Sequence, residues 1–527
     1  MTTIDTDEPD AAEGERRSPQ PRGLLDSVAE VFNAGGDLRF GHLIPLSARS
    51  PSPAYLRSLE HPLWLEEDDD EAAAAAAEEA EAEAEAALHA RSHRRDTLVT
   101  TAVGLGTYGL SLFTGPLLAR SLGDSDRGTY QAVWGPTQII GWLLMLGIPA
   151  ASMFYARRDN RRQLDNTAWL VTLGLGLPVF AVLWPLVPLL LHRHPPEAVF
   201  WFRLFLLAML LVLPMQNSFE YLRARGGNTK FNVYRSLPLV LTTVFIVGTF
   251  LSGSLNLRTA LFATFSANLI GALVPIVLEG SYPRFGRGNF DWALSKLQLH
   301  YGARIWVGTL SNMVLARFDQ ILMVTLVAPA ELGHYAIAVT AAGLSAPVAQ
   351  GVGFALFPFL VRDTDPDARS ARMWQGFQWV LLGSLGICGA LAVTMPWGLP
   401  FLFGEEFRAS LPPFYLLLPG QVLWNVGLVF KTRLEADNRP GSGFNALAAS
   451  AVVTLIGVPA AVPLAGIFGA AVVTSVSQFV FCVLGYVFVR RGVAKDKAAI
   501  AAAEAEAFEE AVQRELQPAS GNGEEER

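Results

Sequence analysis

From Thr97 to Arg491 the sequence is a succession of apolar blocks separated by short polar breaks. A helix needs roughly 20 residues to cross the hydrocarbon core of a bilayer. Twelve blocks come close to or exceed that length, at about 98–118, 130–154, 168–191, 199–218, 236–252, 258–278, 302–327, 335–360, 377–398, 411–430, 444–462 and 470–490. A soluble chain of 527 residues would form two or more domains. Here half of all residues are hydrophobic and they are concentrated in the blocks, so the chain belongs to the membrane class. The expected fold is an all-α membrane protein.

Cytoplasmic loops of membrane proteins carry an excess of Lys and Arg, and that excess sets the orientation. Arg91, Arg94 and Arg95 precede the first block, and Arg157, Arg158, Arg161 and Arg162 follow the second. Arg223, Arg225, Lys230 and Arg235 follow the fourth, and Arg284, Arg287 and Lys296 the sixth. Arg362, Arg369 and Arg372 follow the eighth, Lys431, Arg433 and Arg439 the tenth, and Arg490, Arg491, Lys495 and Lys497 the last. The odd-numbered exits are poorer, with Arg120 and Arg127, then Arg193 and Arg203, then Arg258, then Arg408. The alternation never breaks. It predicts two cytoplasmic termini and twelve crossings.

The remaining segments are polar. Residues 1–96 read as a cytoplasmic extension, mostly disordered, which includes an acidic Ala/Glu helix at Glu66–Leu88. Residues 97–279 would form an N-terminal six-helix lobe, 280–301 a cytoplasmic linker helix, 302–491 a C-terminal six-helix lobe and 492–527 a cytoplasmic tail. Within the linker, Asn289 is a candidate cap for a helix carrying Phe290, Leu294, Leu297 and Tyr301, which either lies on the membrane surface or simply connects the lobes. The net charge of −8 is set largely by the acidic tails and gives no hint of a nucleic-acid partner.

The two halves carry a short internal repeat. SLGDSDRGTY at Ser121–Tyr130 and LVAPAELGHY at Leu326–Tyr335 share an acid (Asp126, Glu331), a glycine (Gly128, Gly333) and a tyrosine (Tyr130, Tyr335). Each follows the first block of its half. Six is an even number, so the halves would share one orientation, related by an axis along the membrane normal.

One block is unlike the others. HYGARIWVGTLSNMVLARFDQILMVTLVAP, His300–Pro329, is long enough to cross, yet it holds Arg304, Asn312, Arg317 and Asp319. A charge at the centre of a spanning helix costs on the order of 2.5–3.5 kcal/mol even on the lenient insertion scale. Asn312 and Asp319 are seven residues apart and share a helical face, with Gly308 and Arg304 close to the same stripe. Arg317, two residues from Asp319, points elsewhere and cannot pair with it along the helix. Such a stripe either lines an internal wet cavity or pins the helix to its neighbours. Asp319 is the only acid well inside any block, since Glu220, Glu279 and Glu435 stand at block ends.

Other motifs carry little. GLGTYG at Gly104–Gly109 has the letters of a dinucleotide fingerprint but lies inside an apolar block with no strand before it, so its glycines are expected to serve helix packing or bending. There is no Walker loop and no HExxH. His192 and His194, in HRHPPE, are expected to be solvated. Cys388 and Cys482 both lie in apolar blocks and form no disulfide framework. No cofactor and no metal site is expected.

GPLLARSLGDSDRGTYQAV (Gly115–Val133), LARFDQILMVTLVAPAELGHYAIAV (Leu315–Val339), FLFGEEFRASLPPFYLLLP (Phe401–Pro419) and RLEADNRPGSGFNALAASAVVTLIGVPAAVPLAGIFGAAVVT (Arg433–Thr474) carry a further reading. Together they resemble the polysaccharide flippases of the multidrug, oligosaccharidyl-lipid and polysaccharide exporter superfamily, over about residues 97–491. The resemblance implies two six-helix lobes around a central cavity worked by alternating access. It also implies a lipid-linked oligosaccharide of the undecaprenyl-pyrophosphate type as substrate, flipped across the cytoplasmic membrane. The two further helices typical of peptidoglycan-precursor flippases have no counterpart here. Membrane lipid and polysaccharide biosynthesis enzymes are the other partners it suggests. The chain would not be an enzyme. Arg304, Asn312 and Arg317 are the candidate cavity residues for substrate, and Asp319 is the candidate for ion coupling. A multidrug–cation antiporter of the same fold is one alternative. A membrane glycan polymerase or ligase is another, for which Glu405, Glu406 and Arg408 in a short loop are the only candidates.

Overall fold

A computed structural model describes residues 69–156, 161–224, 228–280, 282, 290–363 and 365–516. All lie within the unit 53–527. Among the described residues there is no strand. The helices are α1 (Asp69–Leu144), α2 (Ile148–Tyr155), α3 (Arg161–Leu190), α4 (Pro196–Ala224), α5 (Asn228–Leu251) and α6 (Leu257–Glu279) in the first half. The second half holds α7 (Trp292–Leu326), α8 (Pro329–Ala342), α9 (Ala346–Arg362), α10 (Pro366–Phe403), α11 (Leu411–Ala436) and α12 (Pro440–Leu516). A 3₁₀ turn at Gly343–Ser345 joins α8 to α9, and another at Glu405–Ser410 precedes α11.

In lipid every backbone polar group must be satisfied within the protein, which an apolar helix does by itself. Hydroxyls inside these helices follow the same logic. Thr114, Thr243, Thr264 and Thr340 each donate to the carbonyl four residues back. Helix starts are capped by side chains: Asn256 accepts from Thr259 N before α6, Asp291 from Leu294 N before α7, and Asp365 from Asp367 N and Ala368 N before α10. Those two amide donors, together with the nearby cations Lys497 and Arg369, hold the Asp365 carboxyl below the usual carboxylate range.

Nine helical stretches among the described residues are long and apolar enough to cross a membrane. Two of them, Ala102–Leu144 and Pro440–Glu510, contain a break in the helix. The break in α1 is Gly123 (φ 72°) and that in α12 is Gly466 (φ 55°), left-handed conformations that glycine adopts at no steric cost. Apolar side chains cover the outside: Leu464 is 87% exposed, Leu251 78% and Phe401 74%. Water would not tolerate a surface of this kind, whereas acyl chains would. The chain is a multi-pass membrane protein.

The turns near Gly123, His194, Pro329, Glu405 and Gly466 lie together: His194 reaches the Val324 carbonyl, a Cβ on Gly123 would stand 3.0 Å from Glu406 Oε2, and one on Gly466 would stand 4.0 Å from Glu331 Oε1. This is referred to below as the Gly123 end. The largest buried cluster draws on both halves of the chain there, with Leu118, Tyr130, Phe202, Met323, Tyr335, Leu399 and Phe407 among its members. A second cluster, including Val380, Val426 and Phe430, belongs to the second half alone.

Three expectations change. The linker helix is not separate, since α7 starts at Trp292 with Asp291 as its cap and continues unbroken through 302 to Leu326; Asn289 lies outside the described residues. The glycines of GLGTYG do not serve close packing, because a Cβ added at Gly104, Gly106 or Gly109 would meet nothing within 4 Å. His194 is not solvated. It is buried, and its Nε2 lies 3.3 Å from the Val324 carbonyl of α7.

Candidate functional site

The two copies of the repeat meet. At the Gly123 end a Cβ on Gly128 would overlap the Pro329 carbonyl, and one on Gly333 would overlap the Asp124 carbonyl. Two helices therefore cross backbone on backbone at the glycine that the repeats share. Beside this seam the Gln131 amide donates to Gln320 Oε1 at 3.0 Å, and the His334 ring lies 3.4 Å from the Asp124 carboxylate. Arg120 bonds the Phe401 carbonyl and stands over the Phe401 ring.

A second glycine crossing joins the halves at the opposite end. A Cβ on Gly302 of α7 would fall 2.6 Å from the Leu146 carbonyl, and one on Gly147 would overlap Gly302. Around it Trp306 Nε1 donates to the Leu143 carbonyl at 3.0 Å, Gln163 donates to the Asp291 carboxylate at 3.2 Å, and Tyr301 stacks on Phe154 at 4.6 Å. The start of α7 is thus held by the first half.

The far end of α7 is held mainly by the second half. Asp319 is 2% exposed. Its Oδ2 accepts from Tyr335 Oη of α8 at 2.6 Å and from Thr474 Oγ1 of α12 at 3.3 Å, while Oδ1 accepts from the Gln320 backbone at 2.8 Å. A buried carboxylate with several donors is the arrangement that the apolar interior requires. The first half repeats part of it: Tyr130 Oη lies 2.8 Å from Thr264 Oγ1 of α6, as Tyr335 Oη lies 3.1 Å from Thr474 Oγ1. Where the second repeat has Asp319, the first has Thr114, whose Oγ1 lies 3.0 Å from Thr243 Oγ1.

The four expected site residues do not form one cluster. Fifteen residues of helix, about 22 Å, separate Arg304 from Asp319. Arg304 is exposed, near the Gly147–Gly302 crossing. The side chains of Asn312 and Arg317 lie outside the described residues. Tyr335, Thr474, Gln131 and Gln320 join the site without having been singled out by charge; only the repeat pointed at Tyr335. Arg127, counted with the exit-loop residues, is instead buried next to the seam.

At the end opposite Gly123 a buried ion cluster ties α10 to α11. Asp437 accepts from Arg433 Nε and from Arg369 Nη1, both at 2.7 Å. Arg433 is 0% exposed, and its Nη1 and Nη2 have no hydrogen-bond partner. Glu405, Glu406 and Arg408 are exposed, with Arg408 bonded only to its neighbour Glu405 among them. Among the described residues no group of three or more His, Cys, Asp or Glu is placed to hold a metal ion.

Residues 93–362, a little over half of the chain, match the family described as polysaccharide biosynthesis protein. The chain belongs to that family. Among solved structures, this polysaccharide biosynthesis family member is similar to the lipid II flippase MurJ in an inward closed conformation. The TM-score is 0.61 at 13% identity, covering 76% of this chain and 89% of that one. It is also similar to a MOP superfamily transporter from Pyrococcus furiosus, with a TM-score of 0.52 at 14% identity, covering 75% and 94% of the two chains. An outward-facing multidrug resistance MATE family transporter gives 0.51 at 14% identity, covering 76% and 95%. At these identities the likeness is one of fold, and the fold is that of the MOP transporters. No curated protein matches the chain.

Proposed function

We propose that this family member is a secondary transporter that flips a lipid-linked oligosaccharide, of the undecaprenyl-pyrophosphate type, across the cytoplasmic membrane for surface polysaccharide export. The observation that carries this reading is the pair of glycine crossings at opposite ends of the molecule, Gly128–Gly333 and Gly147–Gly302, with the start of α7 held by the first half and its far end mainly by the second. Backbone contacts without interdigitated side chains can part and re-form with little repacking. Opening one crossing while the other stays shut is alternating access. On this reading the path between the crossings runs along α7, from Arg304 near the Gly147–Gly302 crossing towards Asn312 and Arg317, and these three would meet the anionic head group.

Twelve crossings follow when Ala102–Leu144 and Pro440–Glu510 are each divided at their glycine break and α7 is added to the nine apolar stretches. On this reading the lobes are residues 97–279 and 302–491, with 1–96 and 492–527 as cytoplasmic extensions. The Gly123 end faces outward, because the basic residues concentrate at the opposite end. Asp319 is the coupling carboxylate: it can exchange a proton or a cation while Tyr335 and Thr474 adjust their hydroxyls to either state. The activity needs no covalent chemistry and hence no enzyme site.

Disrupting the gene in its own host tests the assignment. Surface glycan should disappear while lipid-linked oligosaccharide accumulates on the cytoplasmic leaflet. Unchanged surface glycan together with new sensitivity to cationic drugs would favour the multidrug–cation antiporter instead.

A further inference from the structure

The first-half helix that crosses at Gly128 carries a cation for which the closed crossing provides no anion. Arg127 is 9% exposed, and its Nε and Nη1 are buried with no hydrogen-bond partner. Its guanidinium stands over the Tyr130 ring, 5.3 Å from the centroid, and no described carboxylate pairs with it. A ring face compensates only part of what a buried guanidinium loses on leaving water. The repeat does not demand a charge here, because the corresponding residue of the second copy is the fully buried Leu332. One helical turn further on, Gln131 shares the same face and spends its amide on Gln320 across the seam. Parting the seam would free that amide and uncover the guanidinium together.

We propose that Arg127, assisted by Gln131, is the phosphate-binding residue of the exit half of the path. It takes the phosphate of the lipid-linked substrate once the Gly128–Gly333 crossing has opened. The inference rests on the flippase reading above. A guanidinium offers a planar fork of donors to phosphate oxygens, and a freed side-chain amide adds another. In the closed state the unused donors make the shut crossing less stable than its packing alone would, so the seam is poised to open toward an arriving anion.

The test uses the full-length protein in nanodiscs. Gly333→Ala, whose Cβ would overlap the Asp124 carbonyl, holds the crossing apart from the partner side. Undecaprenyl pyrophosphate should bind this variant at least ~10-fold more tightly than it binds Gly333→Ala/Arg127→Gln, the loss expected for a charge-assisted hydrogen bond to phosphate. Undecaprenol should show no such difference, and phosphatidylglycerol or free pyrophosphate should compete poorly. Equal binding by the two variants overturns the proposal, as does full competition by free pyrophosphate or bulk lipid. A second measurement does not depend on Gly333→Ala folding. Arg127→Gln alone should melt at or above the temperature of the unsubstituted protein, whereas a lower melting temperature would mark Arg127 as a structural residue and overturn the proposal. In proteoliposomes, flipping by the unsubstituted protein with equal flipping by Arg127→Gln sinks this inference alone. Absence of flipping by the unsubstituted protein sinks the flippase reading and this inference with it.

Discussion

Asp437 accepts from two guanidinium groups and its side chain is 2% exposed, with the Arg433 side chain wholly buried beside it. Removing one member of a buried ion cluster strands the others, at a cost of about 3–5 kcal/mol. Asp437→Asn should therefore lower yield and melting temperature sharply, and an unchanged melting curve would show that the cluster is solvated after all. Tyr335→Phe makes a finer cut: it deletes the short bond to Asp319 and leaves the ring in place. A buried hydrogen bond to a charged group contributes about 1.5–3 kcal/mol, so the variant should remain folded but melt measurably lower. No loss of stability would mean that Asp319 is held by its other donors. Part of this site was legible in the sequence. Asp319 stood out as the only acid well inside an apolar block, and the repeat marked Tyr335 and the two glycines. Thr474 was not legible, because a threonine in a spanning helix usually bonds its own backbone. Arg127 was misread, because a charge beside a break in a block looks like a loop residue until the helix is seen to continue through it.

At the scale of elements, the end of α7 depends on a side chain from the first half. The last carbonyls of a helix have no partner of their own, and His194, in the turn before α4, lies against that of Val324. Burial pushes the His194 imidazole below its ordinary value, with a smaller opposing effect from the Val324 carbonyl. A histidine whose folded value is depressed takes up its proton more readily once the chain unfolds. Its neutral form supports folding above about pH 6.5, and that support is lost as pH falls through the unfolded value. The melting temperature should drop between about pH 7 and pH 5, and His194→Gln, which keeps a donor near Val324, should flatten that slope. Identical slopes in both proteins would remove His194 from the account. The helices themselves were largely legible, since apolar runs long enough to cross a bilayer leave few alternatives. Their joints were not. Gly123 and Gly466 each link two helices without an intervening loop, and Asp291 rather than Asn289 starts α7. Propensity and hydropathy locate a span, but the cap that wins depends on neighbours such as Thr167 and Gln163, which also bond Asp291.

At the scale of the whole molecule, two halves built on one short repeat touch through glycines at both ends, and a single helix with a buried carboxylate runs between the two contacts. The family match and the helices make this a multi-pass membrane protein of the polysaccharide biosynthesis family, with the fold of the MOP transporters. The sequence repeat anticipated that the halves correspond, yet it could not say that the corresponding glycines touch, because contact between copies depends on how the helices cross rather than on which residues they carry. The copies differ at Thr114 against Asp319 and at Arg127 against Leu332, and the roles proposed for Asp319 and Arg127 rest on those differences. The most direct measurement reconstitutes the full chain into proteoliposomes, loads one leaflet with a fluorescent undecaprenyl-pyrophosphate oligosaccharide, and follows its arrival in the other leaflet with a membrane-impermeant quencher. The prediction is protein-dependent flipping that responds to an imposed proton or sodium gradient and is lost in Asp319→Asn with the fold intact; flipping no faster than in protein-free vesicles, under any gradient, would contradict the account.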